Sequence, residues 1–222
     1  MKKICITLND VIRRHFNTFE DIYTVYEEEE LHFQDQKEDS NYEFGVLDSD
    51  DETFIIEPET KIEKKILNLD GLTDPMQLST KFKFESKQSF LSFLYEEMAF
   101  EIFAKTNLVY SDVMLDFLQI QEHFRLKNIQ LDVVSMEIAN SKPATLFFLA
   151  REKCKLNNLR FVPNYQNIWD QYQAVITADN YLIENKKFRK KLFKIETENN
   201  KHLKQGDAFK NLKELLEHLK NG

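Results

Sequence analysis

The sequence predicts an α/β fold in which a parallel sheet is covered by helices on both faces. Its strand candidates are continuous apolar runs rather than alternations of apolar and polar residues, a pattern typical of strands buried on both faces. In the C-terminal half these runs alternate with helical patterns, as in strand–helix–strand crossovers. The chain has 222 residues, 42% of them apolar, which suffices for one domain with a large insertion or for two small domains.

The predicted elements follow these patterns along the chain. Residues 2–8 form a short buried strand, and residues 11–19 begin a helix. Helices are also predicted at 87–105 and 111–127, the first apolar on nearly all sides, which indicates burial by its own fold or by a partner chain. The C-terminal half contains strands at 129–135, 159–162, 173–179 and 192–196, a helix at 142–156, and a closing amphipathic helix at 208–220.

Charge is distributed unevenly along the chain. Residues 20–63 contain seventeen Asp and Glu against Lys37 and Lys61, whereas eleven Lys and Arg face five acidic residues from Lys186 onward. Within the acidic stretch, residues 42–57 are predicted to form a hairpin. The net charge of −8 argues against sequence-specific nucleic-acid binding by the whole chain, although its basic C-terminal part alone is able to meet a phosphate.

Composition excludes further classes of site. Four glycines in the whole chain leave no Gly-rich phosphate loop, and no apolar run reaches 18 residues, so no membrane contact is expected. Cys5 and Cys154 lie in apolar contexts, and nothing at the start reads as a secretion signal, so a cytoplasmic protein without disulfides is expected. The histidines lack the spacing of metal ligands, and neither a metal nor a cofactor is predicted.

Polar residues stand at the predicted carboxyl ends of three strands, which is where parallel sheets bind their ligands. Thr7 and Asn9 follow the first strand, Ser135 ends the second and Asp179 ends the fourth. This order of strands and strand ends resembles the haloacid dehalogenase-like (HAD-like) hydrolase superfamily, phosphatases that work through an aspartyl phosphate.

The resemblance implies a Rossmann-like HAD core and a large insertion. The core would comprise residues 1–16 and 129–222. Residues 17–128 would form an acidic α+β insertion after the first strand, in the position where the family carries its cap domain.

The family's catalytic motifs are mostly missing from this chain. In the family the first strand ends in Asp-x-Asp, the nucleophile and the general acid, and Thr7 and Asn9 stand in their places. Ser135 matches the phosphate-binding hydroxyl and Asp179 one of the acidic residues that hold Mg²⁺, but the family's Lys has no counterpart. Asp10 is an alternative carboxylate, although strand alternation points it away from Thr7. Because covalent phosphoryl transfer needs these groups, the resemblance implies a vestigial pocket with no catalytic residue.

Two classes of function remain open at this point. The phrases SKPATLFFLAREKC and VITADNYLIEN are similar to degenerate members of the superfamily carried by tailed bacteriophages, including crAss-like phages. That similarity implies a non-catalytic, ring-forming component of a virion neck or tail, made in the host cytoplasm. The alternative is a phosphatase or nucleotidase with displaced catalytic residues. A phosphate-sensing regulator that kept Ser135 is a third reading.

The aromatic content favours an assembly. Nineteen Phe are more than a small core needs, and obligate interfaces use such a surplus. The expected partners are other copies of the chain, in a heterologous ring, and other virion structural proteins. The candidate interface residues lie on the apolar segment at 90–103 and are Phe90, Phe93, Leu94, Phe100 and Phe103.

Overall fold

The structure is a computed structural model that describes residues 2–14, 19, 22–23 and 82–221. The chain divides into two units, one comprising residues 1–19 and 69–222 and the other residues 20–68. The hairpin expected at 42–57 and most of the acidic stretch lie outside the described residues. The helix expected at 11–19 is wrong over its first four residues, which form a turn and an isolated bridge to Leu108 because the backbone closes on itself after β1; residues 15–18 lie outside the described part.

The first unit contains a six-stranded parallel sheet with strand order β3-β2-β1-β4-β5-β6. This order is that of a doubly wound α/β sheet, so the predicted general class, a parallel α/β fold, is confirmed. The strands are β1 (Lys2–Thr7), β2 (Ile129–Met136), β3 (Leu159–Val162), β4 (Ala174–Thr177), β5 (Lys191–Ile195) and β6 (Asp207–Phe209).

Helices are found where 111–127 and 142–156 predict them, although the second ends at Arg151, and short elements are added. The helix expected at 87–105 is a short α-helix followed by two π-helical turns, in the first of which the Met98 N–H donates to the Phe93 carbonyl five residues earlier, at 2.9 Å. The elements are α1 (Lys87–Ser92), π1 (Phe93–Glu97), π2 (Phe100–Ala104), α2 (Val113–Leu126), α3 (Ser141–Arg151), α4 (Ile168–Gln171), α5 (Asn180–Glu184) and α6 (Leu212–Asn221).

The C-terminal helix begins four residues later than the sequence predicts. Asn211 caps it, because the Glu214 N–H donates to Asn211 Oδ1 at 3.0 Å. The N–H of Lys210, the residue before the cap, donates to Glu214 Oε2 at 2.7 Å and so fixes the entry of the chain into the helix. The residues before the cap are thereby left free to form β6 at the edge of the sheet.

Both faces of the sheet are covered. Ile4 and Ile6 of β1 pack in one apolar cluster with side chains of α2 and α6, whereas Cys5 packs in another with side chains of α4 and α5. Alternate residues of a strand point to opposite faces, which explains the division. The continuous apolar runs of the sequence therefore reflect burial on two sides.

Helix α2 covers the sheet even though it belongs to the segment 17–128 that the sequence assigns to an insertion. Its residues Val113, Phe117 and Ile120 lie in the same cluster as Ile4 and Ile6, and the helix contacts β2 and α6. The layer that covers this face of the sheet therefore begins before residue 129.

A pair of substitutions on α2 tests this packing. Phe117→Ala empties a fully buried site of the sheet cluster and should lower the free energy of unfolding by about 3–5 kcal/mol. Leu115 is 56% exposed on the same helix, and Leu115→Ala should cost about 0.5 kcal/mol or less. Urea unfolding followed by circular dichroism measures both. Equal, small effects would contradict the placement of α2 in the sheet core.

Candidate functional site

The point where the strand order reverses lies between β1 and β4, and sheets of this kind bind ligands at the carboxyl ends of such strands. Here a hydrogen bond joins the two strand ends, because Thr7 Oγ1 donates to Thr177 Oγ1 at 3.0 Å. The Asp179 backbone N–H also donates to Thr177 Oγ1, at 3.0 Å. Both hydroxyl groups are buried. The Thr7 hydroxyl is thus directed at a neighbouring strand.

A tight turn after β1 brings a buried arginine back to the end of the strand. Asp10 adopts a left-handed backbone conformation with φ of 57°, and its N–H donates to the Arg13 carbonyl at 2.7 Å. The N–H groups of Ile12 and Arg13 both donate to the Leu8 carbonyl at 3.0 Å. The turn is therefore closed by its own backbone, and Arg13 lies beside Asn9.

The Arg13 side chain is 1% exposed and is held by acceptors on all sides. Its Nε and Nη2 donate to Asn9 Oδ1 at 3.0 and 2.5 Å, and Nη2 also donates to Glu137 Oε1 at 2.5 Å. Its Nη1 donates to Thr145 Oγ1 at 2.6 Å and to the Phe103 carbonyl at 3.3 Å. Arg13 and Glu137 form a buried, charge-assisted ion pair.

Glu137 gathers the remaining polar groups of this region around one oxygen. Its Oε1 accepts hydrogen bonds from Ser135 Oγ at 2.9 Å and from Thr145 Oγ1 at 3.0 Å, in addition to the bond from Arg13. Within the described part of the chain, Oε2 has no hydrogen-bond partner. The Ser135 hydroxyl, expected to bind a phosphate, therefore donates a hydrogen bond to the Glu137 carboxylate instead.

Asp179 acts as a helix cap. Its Oδ1 accepts the Leu182 N–H at 2.9 Å and so begins α5. A cavity of about 150 Å³ lies beside it, below the size of ordinary ligand pockets. Burial, and to a smaller extent the Asp179 and Glu137 carboxylates, raises the pKa of the neighbouring Tyr165 phenol well above its usual value, so this group stays protonated. The cavity is also lined by Met136, Asn164, Gln166 and Tyr181.

These groups do not fit the Mg²⁺ ion that the family resemblance implies. The amide oxygen of Asn9 accepts two N–H bonds from a guanidinium, whose positive charge repels a second cation at that place. One Asp179 oxygen is committed to the helix cap. A hard divalent cation needs several anionic or carbonyl oxygens directed at one point. Across the described residues, no group of three or more His, Cys, Asp or Glu side chains is arranged to hold a metal.

The structure joins the expected pocket residues in two separate pairs. Thr7 and Asp179 meet through Thr177, and Asn9 and Ser135 meet through Arg13 and Glu137. Sequence reasoning missed Arg13 and Glu137. Arg13 follows the apolar Val11 and Ile12, and Glu137 lies between Met136 and Ile138, which was the available signal, but only the fold shows that the two charges are partners.

The expected interface residues fall into two groups. Phe100 is 47% exposed, and its ring packs on that of Phe147, itself 48% exposed, with centroids 5.0 Å apart. Leu146, also on α3, is exposed beside Phe147 in sequence. The other candidates are buried within the chain and belong to its core; they are Phe90, Phe93, Leu94 and Phe103.

A larger cavity of about 400 Å³ opens at the carboxyl ends of β5 and β6. Its lining mixes both signs of charge, and Lys201 Nζ lies 2.5 Å from Glu198 Oε2 within it. Such a lining favours neither a strongly anionic nor a strongly cationic ligand. The charged residues are Asp10, Arg14, Glu196, Glu198, Lys201 and Lys210.

In comparisons with known proteins, no family model and no curated protein matches the chain. The helices of the described residues are too short or too polar for any of them to span a lipid bilayer. The function is therefore inferred from the fold and the contacts of the described residues.

The buried ion pair can be tested by a double-mutant cycle. Arg13→Met leaves the Glu137 carboxylate buried without its cation and should lower the free energy of unfolding by about 3–5 kcal/mol. Arg13→Met combined with Glu137→Met should cost less than Arg13→Met alone, because no buried charge is left unpaired. Chemical unfolding of the four proteins gives the coupling energy.

The exposed pair of Arg125 and Glu122 is the matched control for this cycle. Arg125→Met should leave the urea midpoint nearly unchanged, because water screens both charges. Strictly additive effects of the substitutions at Arg13 and Glu137 would show that the two side chains do not interact.

Proposed function

We propose that the protein is a non-catalytic HAD-like protein that serves as a building block of a larger assembly, namely a ring in the neck or tail of a bacteriophage particle. The observation that carries the proposal is the buried Arg13–Glu137 pair. Asn9 is hydrogen-bonded to Arg13 and Ser135 to Glu137, although a HAD-type phosphatase would direct the side chains at these two positions at its substrate and its metal.

The remaining pocket groups support the same conclusion. Attack on phosphorus needs a carboxylate, or a hydroxyl activated by a neighbouring base. Thr7 is buried, and its hydroxyl donates to another hydroxyl, Thr177, which cannot act as a base at neutral pH. The cavity beside Asp179 is too small for a nucleotide. A working phosphatase would require these groups to rearrange.

Surface features support an assembly role. Phe100, Leu146 and Phe147 expose apolar side chains, and such clusters are typical of protein interfaces. The acidic stretch at 20–63 and the basic C-terminal part give the chain two unlike regions. Unlike surfaces that attract each other make head-to-tail contacts, which close into rings when the rotation allows.

Enzyme assays distinguish this proposal from the phosphatase alternative. Hydrolysis of an aryl phosphate with millimolar Mg²⁺ should proceed at the rate of buffer alone, and Thr7→Asp should not create activity, since the general acid and the Lys stay missing. Millimolar Mg²⁺ should not raise the melting temperature measurably. Turnover above about 1 per second that Thr7→Ala abolishes would establish an enzyme instead.

The assembly itself can be observed directly. Cryo-microscopy of the native particle should show the chain as repeated copies in a ring. Sedimentation of the pure protein should show association. A protein that stays monomeric at every concentration and appears in no larger particle would refute the structural role, whatever the outcome of the enzyme assays.

A further inference from the structure

The amino ends of the strands carry an open, basic groove. Its volume is about 430 Å³, and it lies between the first residues of β1, β2, β4 and β5, opposite the carboxyl ends described above. Four of the residues that line it are cations and none is acidic. The lining consists of Lys2, Ile4, Ile129, Gln173, Ala174, Arg189, Lys190 and Lys191.

The loop that leads into β5 extends this groove into a larger surface. Five of the six residues at 186–191 are Lys or Arg, and the sixth, Phe188, is 86% exposed. Lys190 Nζ donates to the Tyr172 carbonyl at 2.8 Å, and the Arg189 guanidinium lies 5.5 Å from the centre of the Phe188 ring. The basic face is defined here as Lys2 together with residues 186–191.

The charge of the basic face is only weakly neutralised. In the described part of the chain, Lys187 pairs with Asp170, and Lys191 lies 3.9 Å from Asp207. All four side chains are about half exposed, and ion pairs in such surroundings are weak. Among the described residues, most of the positive charge of the basic face is therefore without a close acidic partner. The exposed Phe188 offers a binding partner an apolar contact as well.

We propose that the basic face binds the acidic stretch, residues 20–63, of a second copy of the chain. This inference rests on the proposed assembly role and names the contact. The acidic stretch carries seventeen Asp and Glu against two Lys, so its charge is complementary to that of the basic face. Because the two regions differ, each copy binds one neighbour through its basic face and the other neighbour through its acidic stretch. The contact is therefore head-to-tail.

A second copy fits this surface better than nucleic acid does. The net charge of −8 repels a polyanion that approaches from a distance, whereas head-to-tail docking orients the opposite charges of two copies toward each other. Phe188 lies among cations, where it becomes desolvated once the partner covers it, and apolar contacts of this kind supply affinity that exposed charge pairs lack.

Charge reversal on the full-length protein tests the contact. Lys187→Glu, Arg189→Glu and Lys191→Glu together should weaken self-association by about tenfold or more in sedimentation velocity at 50 mM NaCl. The matched control, Lys142→Glu, Lys204→Glu and Lys213→Glu, changes net charge equally on exposed residues outside the basic face and should have an effect of about twofold or less.

Rescue gives the decisive result. Glu28→Lys, Glu29→Lys and Glu30→Lys in the acidic stretch should weaken association alone but restore it when combined with the reversal on the basic face. A destabilised fold would not be rescued in this way. Equal effects of the control and the basic-face reversal, or no rescue, would overturn the inference.

Two other polyanions test whether the basic face prefers the acidic stretch. A fluorescent oligo-dT strand and vesicles containing phosphatidylserine should not bind at physiological salt. Binding of either that the basic-face reversal abolishes, with self-association unchanged, would assign the surface to that polyanion instead. If the protein assembles normally with the basic face reversed, the proposed function stands and this contact is wrong. Loss of all assembly in the wild type refutes both.

Discussion

A guanidinium group has five N–H donors and keeps its charge inside a protein, so a fold that buries one must place acceptors around it. Arg13 finds them on four parts of the chain: the turn after β1 with Asn9, the end of β2 with Glu137, α3 with Thr145, and π2 with the Phe103 carbonyl. The rings of Phe103 and Phe148 lie 5.2 and 5.6 Å from the guanidinium carbon. The need to surround one cation thus determines where these elements meet.

This arrangement fills the place where a doubly wound sheet usually binds its ligand. Doubly wound sheets bind ligands at the carboxyl ends of their strands, because helices that leave in opposite directions open a crevice there. In this protein the crevice between β1 and β4 is filled by the Thr7–Thr177 bond and by the Arg13 network. A cavity of mixed charge remains farther along, at the carboxyl ends of β5 and β6, and the basic groove lies at the amino ends. Side chains at the carboxyl ends of β1, β2 and β4 are therefore bonded to one another, whereas the amino ends carry exposed cations.

The sequence predicted those parts of the fold that leave a continuous pattern. Strand β4 lies within the predicted range 173–179, and all four of its residues are buried, because a strand covered on both faces is a continuous apolar run. Strand β6 has no such run, and it follows Gly206, whose φ of 82° and close approach to Leu192 depend on the tertiary fold. Arg13 and Glu137 are 124 residues apart, and nothing in the local sequence of either residue indicates that they are partners. The sequence located the strand ends at which the polar side chains lie, but it did not predict the hydrogen bonds that these side chains make.

The edges of the sheet limit backbone pairing between molecules. In the described residues the edge strands are β3, with four residues, and β6, with three. A short edge offers few unpaired backbone groups, so it is a poor template for adding a strand from another molecule. Two molecules that meet at these edges are therefore protected from fibre-like backbone pairing, and any contact between them depends on side chains.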